Sequence, residues 1–382
     1  MHDASCDFIF LVWFKFRREE EIGMGNEKIL VINPGSTSTK VAVYEGDQQK
    51  WVESISHSLE ELKNYACVYD QLEMRTDLVR ECLQKHGDTL ESLTAIVSRG
   101  GNMPPVRAGA YEINGYMVDC LHYHPGDEHA SNLGAGIAYQ FAQKLGIKAY
   151  TYDAVTVDEL LPVASMTGLK GIPRQARGHS LNTRAAALAF CRQNQLEYAD
   201  TNLIVAHLGG GITINLHSGG KMIDMVMDQE GPFSPERAGG LPTYTVVELA
   251  YSGAYTRPQL MKKLQRTGGL IAYFGTADLR EVEALIDKGD SEAALVVEAM
   301  ALAIAKSIAK LAPTVNGKVD YILLTGGLAY SKRLTQMIRE RVSFLAPIVE
   351  LPGENEMQAL ANGALRVLRG EENAHILTPD QR

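Results

Sequence analysis

Three short turns in this sequence have the composition of a phosphate cradle. Residues 33–40 read NPGSTSTK, residues 206–212 read AHLGGGI and residues 323–329 read LLTGGLA. Each follows an apolar run and is rich in glycine and small residues. Backbone N–H groups in such a turn stand clear of side chains and can close on phosphate oxygens. A single Gly-rich turn is usually only a turn. Three of them, each behind an apolar run, make phosphate handling the chemistry to test first. No GxxxxGK[ST] occurs, which excludes a Walker-type ATPase. No GxGxxG lies between a strand and a helix with an acid beyond it, so a dinucleotide site is poorly supported. His122, His124 and His129 with Asp127 lack any standard zinc spacing.

The elements that must position these turns alternate. Residues 28–33 (KILVIN) and 40–44 (KVAVY) read as two strands around the first turn, and 202–207 (NLIVAH) and 212–216 (ITINL) as two around the second. The layout repeats about 175 residues apart. A further strand, 321–324, runs into Thr325-Gly326-Gly327; 95–98 and 149–153 are short strands, the latter ending in Asp153. Apolar residues at helical spacing predict helices over 130–145, 181–191, 292–311 and 357–368. This is an α/β chain with two related halves.

Composition bounds the class. The 382 residues are enough for two or three domains, with 45% hydrophobic and 22% charged residues. The net charge of −9 is opposite to that of a duplex-wrapping protein. Five widely spaced cysteines without a CxxC fit a reduced, cytoplasmic compartment. The apolar run 8–14 (FIFLVWF) is too short to span a membrane and lacks signal-peptide flanks. Residues 1–25 read as an extension upstream of the true start, expected at Met24.

NPGSTSTK at 33–40 resembles the phosphate-1 turn of the acetate kinase family, in the superfamily of actin, sugar kinases and heat-shock chaperone ATPases. SRGG (98–101), EHASNLGA (128–135), EGPFSPER (230–237), GTADLRE (275–281) and PGENEMQALA (352–361) follow in family order, with the two later turns among them. Acetate kinases typically carry NAGSSSxK, HRVVHGG and LGNG where this chain has NPGSTSTK, AIVSRGG and LGGG. In all three places the sequence is similar to the butyrate kinases. The resemblance implies two duplicated actin-like ATPase domains of ribonuclease H-like βββαβαβα order flanking a central nucleotide cleft. Domain I would be 26–155 plus 358–382, on the acyl side; domain II would be 156–357, binding the nucleotide. It also implies reversible phosphoryl transfer from ATP to a short-chain carboxylate, with Mg²⁺, in a homodimer or higher homo-oligomer that binds neither nucleic acid nor membrane.

A carboxylate is already a nucleophile, so this chemistry needs positioning and positive charge rather than a strong base. By the resemblance, Arg237 contacts the transferring phosphoryl and Arg99 the substrate carboxylate, although the corresponding acetate kinase arginine lies three positions earlier in its motif. His179, His207 and His129 would line the cleft, with His179 on the phosphoryl. Asn33 and Glu356 would anchor the metal, and Asp153 would hold it through water. Ser36, Thr37 and Ser38 would donate to the γ-phosphoryl, Gly209, Gly210 and Gly211 would hold the β-phosphate side, and Gly326 and Gly327 would pass under the nucleotide. Asp278 and Arg280 would neighbour ribose and base, with a helix N-cap the other reading of Asp278. Met103 and Val106 are candidate walls of an apolar acyl pocket. Acetate, propionate or isobutyrate as substrate is the alternative within this chemistry. An actin-like ATP-driven binding protein is the alternative outside it, and it would need a peptide-binding or polymerising region besides the two halves.

Overall fold

The computed structural model describes residues 27–124 and 128–379. The expected start at Met24, the extension before it and Asp127 lie outside that range. The chain forms two compact units: 27–104, 109–154 and 356–379 in the first, and 105–108 and 155–355 in the second.

The first unit is built on a seven-stranded mixed sheet. Its strands are β1 (Lys28–Pro34), β2 (Ser38–Glu45), β3 (Gln48–Ser56), β4 (Ala95–Arg99), β5 (Ala110–Glu112) and β6 (Lys148–Tyr152), closed by the short strand His375–Ile376. Ile29 to Ile32 are fully buried, as a central strand covered on both faces requires. β3 alternates half-buried and exposed residues and carries Lys50 and Glu53, the pattern of a protected edge. The second unit has β7 (Leu203–Leu208), β8 (Ile212–Ser218), β9 (Lys221–Val226), β10 (Tyr321–Gly326) and β11 (Ile348–Pro352).

The duplication is visible in the strand order. The first sheet runs β3-β2-β1-β4-β6 before its added strands, and the second runs β9-β8-β7-β10-β11. In each, three antiparallel strands are followed by two parallel ones. This is the actin-like ATPase fold, twice.

Helices cover the sheets where the apolar spacing places them. Leu133–Leu145 packs on β4, β6 and β1 and ends at Gly146 in the left-handed conformation, φ 67°. Ser291–Leu311 is capped by the Asp290 carboxylate and buries Val297, Met300, Ile304 and Ile308 against the second core. Each such side chain contributes about 1.5–3 kcal/mol relative to leaving it in water. After β11 the chain returns to the first unit, where Glu356–Leu368 packs on β1, β4 and β6. No helix among the described residues is long and apolar enough to cross a membrane.

Candidate active site

In the first unit, β1, β4 and β6 are parallel neighbours, so their carboxyl ends lie side by side. Ligands of open α/β sheets bind at such ends. Asn33 ends β1, Arg99 ends β4 and Asp153 follows β6. Glu356 is the first residue of its helix and meets this edge. Asn33 Nδ2 donates to Glu356 Oε2 at 2.7 Å, and Arg99 Nη1 lies 3.1 Å from Oε1. One carboxylate thus ties an amide to a guanidinium. Asp153 is buried with φ 42°, a left-handed conformation that aspartate tolerates better than most residues, and its carboxylate accepts the Gly109 N–H at 2.7 Å.

The turn after β1 presents Ser36 and Thr37 to solvent, with Ser38 half-buried, and is closed by Gly35 N–H donating to Ser38 O at 2.7 Å. His129 caps the short 3₁₀ turn Ala130–Asn132. Its Nδ1 accepts the Ser131 N–H at 3.1 Å and lies 2.9 Å from the Ser131 hydroxyl. The second glycine of SRGG is required: a Cβ on Gly101 would stand 2.3 Å from Asn132 Oδ1, which accepts the Asn102 N–H. Met103 is buried in this unit. Val106 is also buried but belongs to the second unit, bridging Val157. His122, by contrast, stacks on Tyr69 and Tyr123, an aromatic packing role.

In the second unit, the β7–β8 turn is the centre. His207 is buried near the end of β7, with Nε2 3.3 Å from Glu354 Oε1. His179, at the start of helix Ser180–Gln193, lies with its ring 4.4 Å from that of His207 and its Nδ1 2.9 Å from Thr213 Oγ1. The three glycines leave room for side chains as well as for a phosphate. A Cβ on Gly209 would meet Glu354 at 3.1 Å, one on Gly210 would meet Glu236 at 2.8 Å, and one on Gly211 would meet the Arg237 guanidinium at 2.6 Å. Arg237 therefore lies over the turn, where it is ion-paired with Asp228. Burial, followed by the positive charges of Arg177 and Arg266, pushes its pKa down. An anion at this point would relieve that repulsion.

Gly326 has φ 92°, and a Cβ there would stand 2.4 Å from Leu208 O, so the third turn is pressed backbone to backbone against the second. Around Gly327 there is open space. Asp278 is the N-cap of Leu279–Asp287: it accepts the Arg280 N–H at 2.9 Å and is ion-paired with the exposed Arg280 side chain. The cap reading of Asp278 is realised.

The sequence patterns missed Asp228, Glu354, Arg177 and Thr213. Glu354 stands inside PGENE, whose two acids, Glu354 and Glu356, spaced two residues apart around Asn355, were the available signal. Asp228 had none, because only the β9 geometry brings it to Arg237.

The acetokinase family model matches residues 183–365. The chain is 48% identical over 350 residues to "Probable butyrate kinase 2" of Caldanaerobacter subterraneus subsp. tengcongensis, covering 91% of this chain and 99% of that one. The chain belongs to the acetokinase family. It is a carboxylate kinase that uses ATP as phosphoryl donor. Its fold matches the crystal structures of Porphyromonas gingivalis acetate kinase (TM-score 0.73, 18% identity, 90% of this chain and 100% of that one) and a Francisella tularensis propionate kinase (TM-score 0.69, 19% identity, 88% and 98%).

Proposed function

We propose that this acetokinase acts on butyrate, giving butanoyl phosphate and ADP reversibly. The observation that carries this reading is the 48% identity, sustained over 91% of the chain, to a probable butyrate kinase. The AIVSRGG, NPGSTST and LGGG motifs point the same way.

In this reading one butyrate oxygen attacks the γ-phosphorus of ATP in line. The bond from that phosphorus to the β–γ bridging oxygen breaks, and ADP leaves. No proton is transferred, so His179 and His207 serve as hydrogen-bond donors and not as bases. Arg237 exchanges Asp228 for the equatorial phosphoryl oxygens, and its planar fork suits two of them at once. Arg99 takes the butyrate carboxylate, with Met103 and Val106 toward the acyl chain and His129 beside it. Ser36, Thr37 and Ser38 meet the γ-phosphoryl, Gly209, Gly210 and Gly211 the β-phosphate, Gly326 and Gly327 the nucleoside side, and Asp278 with Arg280 the ribose. Asn33 and Glu356 would hold Mg²⁺ through the hard oxygen donors it prefers, and Asp153 would act on it through water. Bound there, the ion would neutralise charge on the nucleotide's phosphates.

Two extra methylenes relative to acetate are worth about 0.8 kcal/mol each, or about fifteenfold together. A hydroxamate assay with ATP, Mg²⁺ and the C2–C5 acids tests this. We expect kcat/KM to peak at four carbons, with acetate lower by at least tenfold. A peak at acetate or propionate would overturn the butyrate reading and leave the carboxylate kinase intact.

We further place the enzyme in the cytoplasm, supported by the free thiols Cys67, Cys82, Cys120 and Cys191. We also propose a homo-oligomer, supported by helix Thr243–Tyr251, which buries no residue and exposes Tyr244, Val247 and Tyr251. Light scattering after gel filtration checks the latter; a monomer at micromolar concentration would refute it.

A further inference from the structure

Among the described residues, the largest fully buried side chain is an arginine. Arg75 lies in helix Leu72–Lys85 with no exposure to solvent. Its Nη1 donates to Gly35 O at 2.8 Å, Thr39 Oγ1 at 3.1 Å and Ser38 O at 3.3 Å. Its Nη2 donates to Ser36 O at 3.3 Å, and Nη2 and Nε both reach Gln71 Oε1, at 2.8 and 3.1 Å. The remaining carbonyl of the turn, Thr37 O, accepts the His57 N–H at 2.8 Å. All four carbonyls from Gly35 to Ser38 are therefore held on the protein side. In a trans peptide the C=O and the following N–H point in opposite directions. Holding the carbonyls of 35 and 36 on the guanidinium turns the N–H groups of Ser36 and Thr37 away from it, on residues that are themselves exposed.

The charge balance points the same way. Every hydrogen-bond partner of the guanidinium is a neutral oxygen. Burial pushes its pKa down to about 10, which still leaves it charged at neutral pH. His57, whose Nε2 lies 2.8 Å from Thr39 Oγ1, is held toward its neutral form by burial and by Arg75 itself. A buried cation with neutral partners is expensive unless an anion balances it. The charge of Glu61 supplies part of that balance, and an anion on the exposed side of the turn, at Ser36 and Thr37, would add to it.

We propose that Arg75 is a positioning residue for phosphoryl transfer: it grips the phosphate-1 turn from behind and aims its N–H groups at the γ-phosphoryl of ATP. This rests on the reading that the turn at 35–38 holds that group. Arg75 does not touch the nucleotide. It acts through the peptide dipoles in front of it, and its positive charge adds to theirs.

The experiment compares Arg75→Lys with a Ser36→Ala/Thr37→Ala double variant. Melting temperature, kcat, KM for ATP and carboxylate, and Kd for ADP and a non-hydrolysable ATP analogue are measured for each. A lysine keeps the charge, but its single compact ammonium with three donors cannot span the acceptors from Gly35 O to Gln71 Oε1 that the guanidinium fork holds. Arg75→Lys is expected to fold, to lose about tenfold to a hundredfold in kcat, and to bind the ATP analogue more weakly. The Kd for ADP, which lacks the γ-phosphoryl, should stay within twofold. A folded Arg75→Lys with normal kcat and analogue affinity, beside an impaired double variant, would overturn the role of Arg75 alone. Normal activity in both would overturn the reading of the turn. Equal weakening of ADP and analogue would reduce Arg75 to a general structural residue. Should Arg75→Lys not fold, Gln71→Ala decides: it loosens the guanidinium without touching the turn, and a several-fold loss in kcat is expected. A folded Gln71→Ala with unchanged kcat would overturn the proposal.

Discussion

Arg237 shows what a single side chain is worth in this chemistry. It is half-buried, faces like charges from Arg177 and Arg266, and is balanced by Asp228. Arg237→Ala is expected to lower kcat by about 10³-fold or more, with a much smaller change in KM for ATP, since transition-state arginines in phosphoryl transfer are worth 10³–10⁵. Steady-state kinetics decide this, and a variant with near-normal turnover would assign Arg237 to packing. Glu356 carries the second prediction at this scale. Glu356→Gln keeps a partner for Asn33 and for Arg99 but loses the negative charge. It should raise the Mg²⁺ concentration needed for half-maximal rate by about tenfold. A Mg²⁺ titration that superimposes on the wild type would remove Glu356 from the metal.

At the scale of the turn, two glycines are glycines for different reasons, and the difference can be measured. A Cβ at Gly211 meets the far end of a flexible side chain, the Arg237 guanidinium, at 2.6 Å. The arginine can swing aside. Gly211→Ala should therefore fold and melt near the wild type while losing up to about a hundredfold in kcat, the effect of misplacing a positioned group by about 1 Å. A Cβ at Gly326 meets backbone, Leu208 O at 2.4 Å, at a φ of 92°. Neither strand end can yield cheaply. Gly326→Ala should cost about 1–3 kcal/mol of stability, read by urea unfolding. If the two variants exchanged phenotypes, the steric argument would be wrong.

For the molecule as a whole, acid sensitivity follows from buried groups remote from the chemistry. His217 is fully buried, with Nδ1 2.8 Å from the Tyr198 hydroxyl. Burial and then the charge of Arg184 push its pKa from 6.5 to about 3. The unfolded chain takes up a proton near pH 6.5, whereas the folded protein does so only near pH 3. Between those values the unfolded state holds the extra proton, so stability falls as the pH drops. From pH 6.5 to 5 this amounts to at most about 2 kcal/mol. Asp88 adds a loss at lower pH. Burial alone would raise its pKa, but donors from Lys28, Trp51 and Lys50 prevail and hold it at about 2, so its contribution goes between about pH 4 and 2. Urea unfolding at pH 7 and pH 5 checks the larger effect: His217→Gln should flatten the difference between the two. An unchanged slope would mean that other groups carry it.

The sequence by itself determined the α/β class, the duplicated strand-turn-strand units, the three glycine turns and the family. Those features live in local composition: apolar runs, small-residue turns and helical spacing read the same in any surroundings. Strand ends at Asn33, Arg99 and Asp153 were legible for the same reason. What surrounds those ends was not. Asn33 and Glu356 are 323 residues apart and meet only because the chain returns to the first unit for its closing helix. Arg237 and Gly211 constrain each other across a loop whose path no periodicity describes. Arg75 sits in an amphipathic helix where an arginine reads as a surface residue, yet it is fully buried behind the first turn. Only the tertiary structure decided these, because a hydrogen bond between distant residues depends on strand register and helix docking, and those are set by the packing of the whole core.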